Sequence, residues 1–167
     1  GVEKGFFKRN RLHLTGVPLR ETILQAASHI KEEPRGEGSF CLLVMGGSSG
    51  ARALNERVVE AYPELKRAIP KLKLIHLTGK QEFEETQKKY RELGSNGGVE
   101  LYPFCRDMEK VLLRADGVVA RSGASSLAEF ALLGLPSVVV PYPYSTEEHQ
   151  VKNAQFFAAQ GGASLIL

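Results

Sequence analysis

Cys41-Leu42-Leu43-Val44-Met45-Gly46-Gly47-Ser48-Ser49-Gly50-Ala51 joins a continuous apolar run to a string of small residues. Such a run reads as a strand buried on both faces, and Gly and Ser at its end mark a tight passage into a helix. The same order recurs where Gly117-Val118-Val119-Ala120 runs into Arg121-Ser122-Gly123-Ala124-Ser125-Ser126, with Leu127-Ala128-Glu129 behind it. A strand that ends this way presents backbone N–H groups at the positive end of the next helix. That is a cradle for an anion, above all phosphate. Two cradles, with a carboxylate behind the second, point to a nucleotide with a diphosphate and a ribose.

Outward from these loops the chain alternates strands and helices. Strands are expected at Ser39–Met45, Leu72–Leu77, Val99–Pro103, Gly117–Ala120, Ser137–Pro141 and Ala163–Leu167, mostly as short apolar runs. Helical periodicity covers Glu21–Lys31, Ala51–Tyr62, Gln81–Leu93, Arg106–Arg114, Ser125–Leu133 and Glu147–Gln160. The segment Glu33–Gly38 is a turn or linker between the first helix and the sheet. This alternation predicts an α/β fold with a doubly wound, Rossmann-like parallel sheet. In such a sheet ligands bind beyond the carboxyl ends of the strands. The residues expected there are Gly46–Ala51, Leu77–Lys80, Phe104–Met108, Arg121–Ser126 and Pro141–Gln150, where nearly all the unusual chemistry lies.

Several function classes are disfavoured. With 22 Lys and Arg against 19 Asp and Glu, the net charge of +3 is mild. No stretch interleaves basic and aromatic residues, so nucleic acid is not an expected partner. Neither the G-x-G-x-x-G fingerprint nor a Walker A loop is present, which argues against NAD and against ATP hydrolysis. Cys41 and Cys105 sit in apolar stretches and read as buried small hydrophobes; no metal-ligand spacing occurs. No apolar run approaches the length of a membrane span, and no signal peptide is seen. Phe6-Phe7, flanked by Lys4, Lys8, Arg9 and Arg11, reads as a surface strand or linker, with a membrane-surface contact as the other reading. The abrupt start reads as that of a fragment.

The site candidates each have a plain alternative. Gly46–Gly50 is a phosphate cradle or only a tight turn. Ser125 and Ser126 are helix caps or phosphate ligands, and one hydroxyl can be both. Glu129, placed on the first turn of a nearly all-apolar helix, is a rim residue or an acceptor for a ribose diol. His149, Gln150 and Asn153 are a solvated helix start or readers of sugar hydroxyls. His13, His29 and His76 show no partner pattern and read as structural or surface residues.

Taken together, Gly46 to Arg52 with Leu54-Asn55, Arg121 to Ala124 through Glu129, Gly134-Leu135-Pro136, and Pro141 through His149-Gln150 to Asn153-Ala154 resemble the MurG family. These are the N-acetylglucosaminyltransferases of bacterial peptidoglycan synthesis. Thr15-Gly16-Val17-Pro18-Leu19-Arg20 is similar to that family's interdomain segment, with Val17 and Leu19 as departures. The resemblance runs from about Leu12 to the end. It implies the C-terminal half of a two-domain GT-B glycosyltransferase, with residues 1–20 as the interdomain junction and 21–167 as a donor-binding domain cut short at its C-terminus. It implies UDP-N-acetylglucosamine as donor. The lipid-linked acceptor, lipid I, is implied to bind through an N-terminal domain that this chain lacks, at the cytoplasmic face of the bacterial cell membrane. The product is lipid II, formed with inversion.

Carried over position by position, Cys105 meets the uracil through its backbone, with Met108 nearby, and Glu129 takes the ribose hydroxyls. Gly47, Ser48 and Ser49, with Ala124, Ser125 and Ser126, hold the diphosphate and the inner face of the sugar. Gln150, with His149 or Asn153 beside it, reads the sugar hydroxyls, and Arg20 lies near the nucleotide at the hinge. His149 stands where the family often has glutamine. No cofactor and no metal are implied, and no Asp-x-Asp motif is present. The catalytic base is expected outside this chain, so the chain alone is expected to bind donor and transfer nothing. The other readings are the donor-binding subunit of another UDP-sugar lipid glycosyltransferase, or a noncatalytic UDP-binding module.

Overall fold

The computed structural model describes residues 16–28, 38–47, 51–95, 97–142 and 149–166. Ser48 and Ser49, the basic Phe6-Phe7 segment, His13, His29 and most of the Glu33–Gly38 turn fall outside them. Six strands form one sheet: β1 (Ser39–Met45), β2 (Lys71–Leu77), β3 (Val99–Tyr102), β4 (Gly117–Ala120), β5 (Ser137–Val139) and β6 (Ala163–Leu165). Their order is β3-β2-β1-β4-β5-β6, and every pairing is parallel. This is the doubly wound order, built outward in both directions from β1 and β4.

The register decides where a ligand can sit. Met45 is level with Leu77 on one side and Ala120 on the other, while Leu77 is level with Tyr102 and Ala120 with Val139. All these strands therefore end at one edge, and the chain reverses direction across the sheet between β1 and β4. The crevice at that point lies between Gly46 and Arg121, where the two small-residue loops begin.

The helices are α1 (Glu21–Ser28), α2 (Arg52–Ala68), α3 (Phe83–Glu92), α4 (Met108–Leu112), α5 (Ala124–Leu132) and α6 (His149–Ala159). Alternation along the strands divides the core in two. On one face Leu43, Ile75 and Val118 pack with Ile23 of α1, Leu112 of α4, Phe130 of α5 and Ala154 of α6. On the other, Val44 and Leu74 pack with Leu54, Val58 and Tyr62 of α2 and Tyr90 of α3. Burial of this continuous apolar surface, at roughly 25 cal/mol per Å², is the main force holding the layers together.

Several boundaries differ from the sequence reading, for identifiable reasons. β3 and β5 stop short of Pro103 and Pro141, which have no N–H to offer a neighbouring strand. α2 does not end at Tyr62 but runs through Pro63 to Ala68. Pro63 itself is exposed, so its ring faces solvent rather than the core. α5 ends in a Schellman turn, with Leu135 N–H donating to Phe130 O (3.0 Å) and Gly134 N–H to Ala131 O (3.2 Å). Gly134 has φ +63°, so the Gly134-Leu135-Pro136 string is a helix stop that returns the chain to β5.

Candidate functional site

Both helices that start at the crevice leave their first amides without side-chain caps. Gly123 is the N-cap of α5 and Ala51 that of α2, and neither helix has a side-chain cap hydrogen bond. The first intrahelical bonds are Leu127 N–H to Gly123 O (3.0 Å) and Asn55 N–H to Ala51 O (2.9 Å). The amides of 124–126 and 52–54 thus remain available at two positive helix ends. Ser125 and Ser126 are the second and third residues of α5, not its cap, and their hydroxyls bond no described residue. Gly47 turns the chain out of β1 with φ +90°, and a Cβ built on it meets nothing within 4 Å. Gly47→Ala is therefore expected to cost about 1–2 kcal/mol of backbone strain alone, read as a lower urea midpoint at unchanged m-value.

Glu129 is the sixth residue of α5, in its second turn rather than the first. Its side chain is only 7% exposed, and it is paired with Arg20. Arg20 Nε donates to Glu129 Oε1 at 2.9 Å, and Nη2 lies 2.8 Å from the same oxygen. Both contacts converge on Oε1, and Oε2 accepts no hydrogen bond from a described residue. Arg20 is itself held in place: its carbonyl accepts from Ile23 and Leu24 N–H at the start of α1, and Ile23 is fully buried. Two residues 109 positions apart, singled out separately in the sequence, thus form one pair.

The loop after β5 is tied to the exit of β4 by two adjacent residues. Arg121 Nη1 donates to Val140 O (3.1 Å) and Pro141 O (2.7 Å), and its guanidinium lies 5.6 Å from the Tyr142 ring centroid. Its Nε is buried with no hydrogen-bond partner, and burial pushes the guanidinium below its ordinary pKa. Ser122, fully buried, donates through Oγ to Gln150 O (2.7 Å) and accepts at its carbonyl from Asn153 Nδ2 (3.2 Å). Gln150 Oε1 accepts from Tyr142 N–H (2.9 Å). Asn153, read as a possible sugar ligand, is thus engaged in holding α6 on β4. His149 is exposed at the first position of α6.

Cys105 and Met108 follow β3, two strands away from the crevice. Met108 is 8% exposed and belongs to the core under α4, so its side chain is structural; Cys105 is a half-buried free thiol packed against the same core. Phe104 beside them is 51% exposed.

One cluster was missed. His76 is fully buried, with Nδ1 3.0 Å from Tyr90 Oη and Nε2 3.0 Å from Asn55 Oδ1. Asn55 Nδ2 donates to Thr78 O (2.9 Å), which turns Oδ1 toward the ring and places the histidine proton on Nε2. Burial lowers the His76 pKa to about 4, so the ring is neutral at pH 7. The string Tyr90-His76-Asn55-Thr78 pins the first turn of α2 to the end of β2. The neighbouring motif residues Leu54-Asn55 were the only signal in the sequence.

The chain is similar to known proteins along nearly its whole length. The family model of the glycosyltransferase family 28 C-terminal domain matches residues 41–167. A curated relative from Geotalea daltonii is 40% identical over 162 residues, covering 97% of this chain and 43% of its own length. It is named UDP-N-acetylglucosamine--N-acetylmuramyl-(pentapeptide) pyrophosphoryl-undecaprenol N-acetylglucosamine transferase. A relative from Sorangium cellulosum with the same name is 41% identical, over 93% of this chain and 37% of its own length. Among solved structures, MurG of Acinetobacter baumannii superposes with TM-score 0.71 at 33% identity, over 86% of this chain and 39% of that one. A UDP-GlcNAc 2-epimerase from Neisseria meningitidis, at TM-score 0.52 and 17% identity, shares the fold alone. The chain spans less than half the length of the curated relatives it matches.

Proposed function

The chain belongs to the glycosyltransferase family 28 C-terminal domain family, and from that premise we propose that it is the donor-binding half of a GT-B enzyme. That enzyme transfers N-acetylglucosamine from UDP-N-acetylglucosamine to undecaprenyl-diphosphate-linked muramyl pentapeptide, converting lipid I to lipid II. The observation that carries the reading is the meeting of two uncapped helix ends at the β1–β4 crevice, with the Arg20–Glu129 pair on the second turn of one of those helices. The names of the relatives supply the substrates.

In this reading the amides of 124–126, the hydroxyls of Ser125 and Ser126, and the Gly47 turn hold the diphosphate. The negative charge that builds on the departing UDP is met by fixed N–H dipoles that need no reorganisation. Glu129 accepts a ribose hydroxyl through its open Oε2, while Arg20 fixes the other oxygen. The Cys105 backbone meets the base, and Gln150 reads the sugar. The acceptor and the base that deprotonates its hydroxyl come from outside this chain. The whole enzyme works peripherally at the cytoplasmic face of the cell membrane; among the described residues no helix is long and apolar enough to cross one.

Calorimetric titration with UDP-N-acetylglucosamine, UDP-glucose and UDP tests this. The expected order is tightest for the N-acetylglucosamine donor, with UDP retaining most of the binding free energy but binding about tenfold more weakly. Equal binding of all three would point instead to a UDP-binding module with no sugar preference, and no binding of any would remove the nucleotide reading for this chain.

A further inference from the structure

We propose that Arg121 is a positioning residue for sugar recognition, acting through Tyr142 on the carboxamide of Gln150; this rests on the nucleotide-sugar reading above. A carboxamide both donates and accepts, so Gln150 alone does not define what it reads. Here its polarity is settled. A backbone N–H only donates, so the atom facing Tyr142 N at 2.9 Å is the oxygen. The Nε2 group points elsewhere and donates to no described residue. Gln150 therefore turns its Nε2 group toward a ligand as a donor, suited to oxygen lone pairs, those of a hydroxyl or of an acetamido carbonyl.

That polarity lasts only while the Tyr142 amide stays where it is. Pro141 has no N–H with which to join the sheet, and β5 has already ended at Val139. Val140 N–H still donates to Ala120 O (2.9 Å), and beyond it Arg121 adds ties of its own, with two carbonyls held by Nη1 and the Tyr142 ring beneath the guanidinium. Its unmatched Nε shows that these three contacts, not full satisfaction of the guanidinium, set its pose. The return of the chain is anchored separately, by Ser122 on Gln150 O and Asn153. Loss of Arg121 thus removes the ties at Val140 O, Pro141 O and the Tyr142 ring, and lets the Tyr142 amide shift, while α6 stays in place.

The test is the sugar factor, the ratio of Kd for UDP to Kd for UDP-N-acetylglucosamine, measured by calorimetry. Arg121→Ala is expected to lower it about five- to tenfold, the worth of one hydrogen bond, with the Kd for UDP unchanged within about twofold. Arg121→Lys, which still donates to a carbonyl, restores part of it. Gln150→Ala gives the same loss, and the double variant is no worse than Gln150→Ala, because the two act in series. Should Arg121→Ala fail to fold, Tyr142→Pro deletes the amide donor with Arg121 intact and is expected to lower the factor alike. An Arg121→Ala protein that weakens UDP and UDP-N-acetylglucosamine equally has lost only structure, and the proposal falls. It falls too if the losses multiply in the double variant, or if the factor is unchanged. Wild-type protein that binds neither ligand brings down the nucleotide-sugar reading and this proposal together; a wild-type preference kept in Arg121→Ala brings down the proposal alone.

Discussion

Glu129→Ala is expected to weaken UDP binding on the order of 50-fold while leaving the fold nearly as stable as before. The affinity figure follows from losing a hydrogen bond to a charged acceptor, about 1.5–3 kcal/mol at about 1.4 kcal/mol per tenfold. Stability is spared because the partner is not trapped. The Arg20 side chain is 45% exposed and returns to water when the carboxylate is gone, so the exposed end of this ion pair contributes under about 1 kcal/mol. Binding and folding therefore separate in one variant, read by titration and by urea unfolding. Arg20→Met gives the complementary result. It leaves the carboxylate but frees Oε1, so a smaller loss than Glu129→Ala means that Arg20 orients the acceptor, whereas a gain means that Arg20 competes with the ribose. Wild-type affinity in Glu129→Ala would remove the ribose assignment.

The pair also shows what the sequence withholds. Strands β1 and β4 and their small-residue loops stand out as apolar runs ending in Gly and Ser, and parallel order follows from alternation with helices. Both features are local, and both are where they were expected. Glu129 looked like a lone charge on an apolar helix because its partner lies 109 residues away, and no local pattern records that distance. Gln150 and Asn153 read as part of a solvated helix start or as readers of sugar hydroxyls. Each is in fact tied to backbone, Gln150 by Tyr142 N–H and Asn153 by Ser122 O, and only the fold brings those partners near. The helix read as Ala51–Tyr62 runs on through Pro63, which α2 carries because the turn before it still buries Val59 and Tyr62. Met108 fell within a ligand loop by position, yet its apolar side chain turned into the core.

His76 was the residue least legible and has the second large consequence. Its two partners come from different helices, Asn55 of α2 and Tyr90 of α3, and neither lies at a helical or strand spacing from it. Burial holds its pKa at about 4 in the folded protein against 6.5 when unfolded. The folded state thus favours the neutral ring. The stability this represents is complete above pH 6.5 and is lost as pH falls from 6.5 toward 4, because the unfolded chain takes up the proton first. At about 1.4 kcal/mol per unit the full shift is worth about 3 kcal/mol, of which about 2 kcal/mol disappears between pH 7 and pH 4.5. Urea unfolding across that range is expected to show the drop in the wild type. In His76→Phe it is expected to be smaller by that amount, with only the carboxylates left to titrate. Parallel curves for the two proteins would remove His76 as the source. Asn55→Ala leaves the buried His76 N–H and Thr78 carbonyl without partners at every pH, an expected loss of about 2–4 kcal/mol. Since Asn55 fixes the first turn of α2, whose amides face the crevice, acid that protonates His76 also loosens one wall of the anion cradle. UDP affinity is therefore expected to fall over the same pH interval in the wild type, and to fall less steeply in any variant whose buried string no longer contains an imidazole, where only the UDP phosphate and the carboxylates titrate.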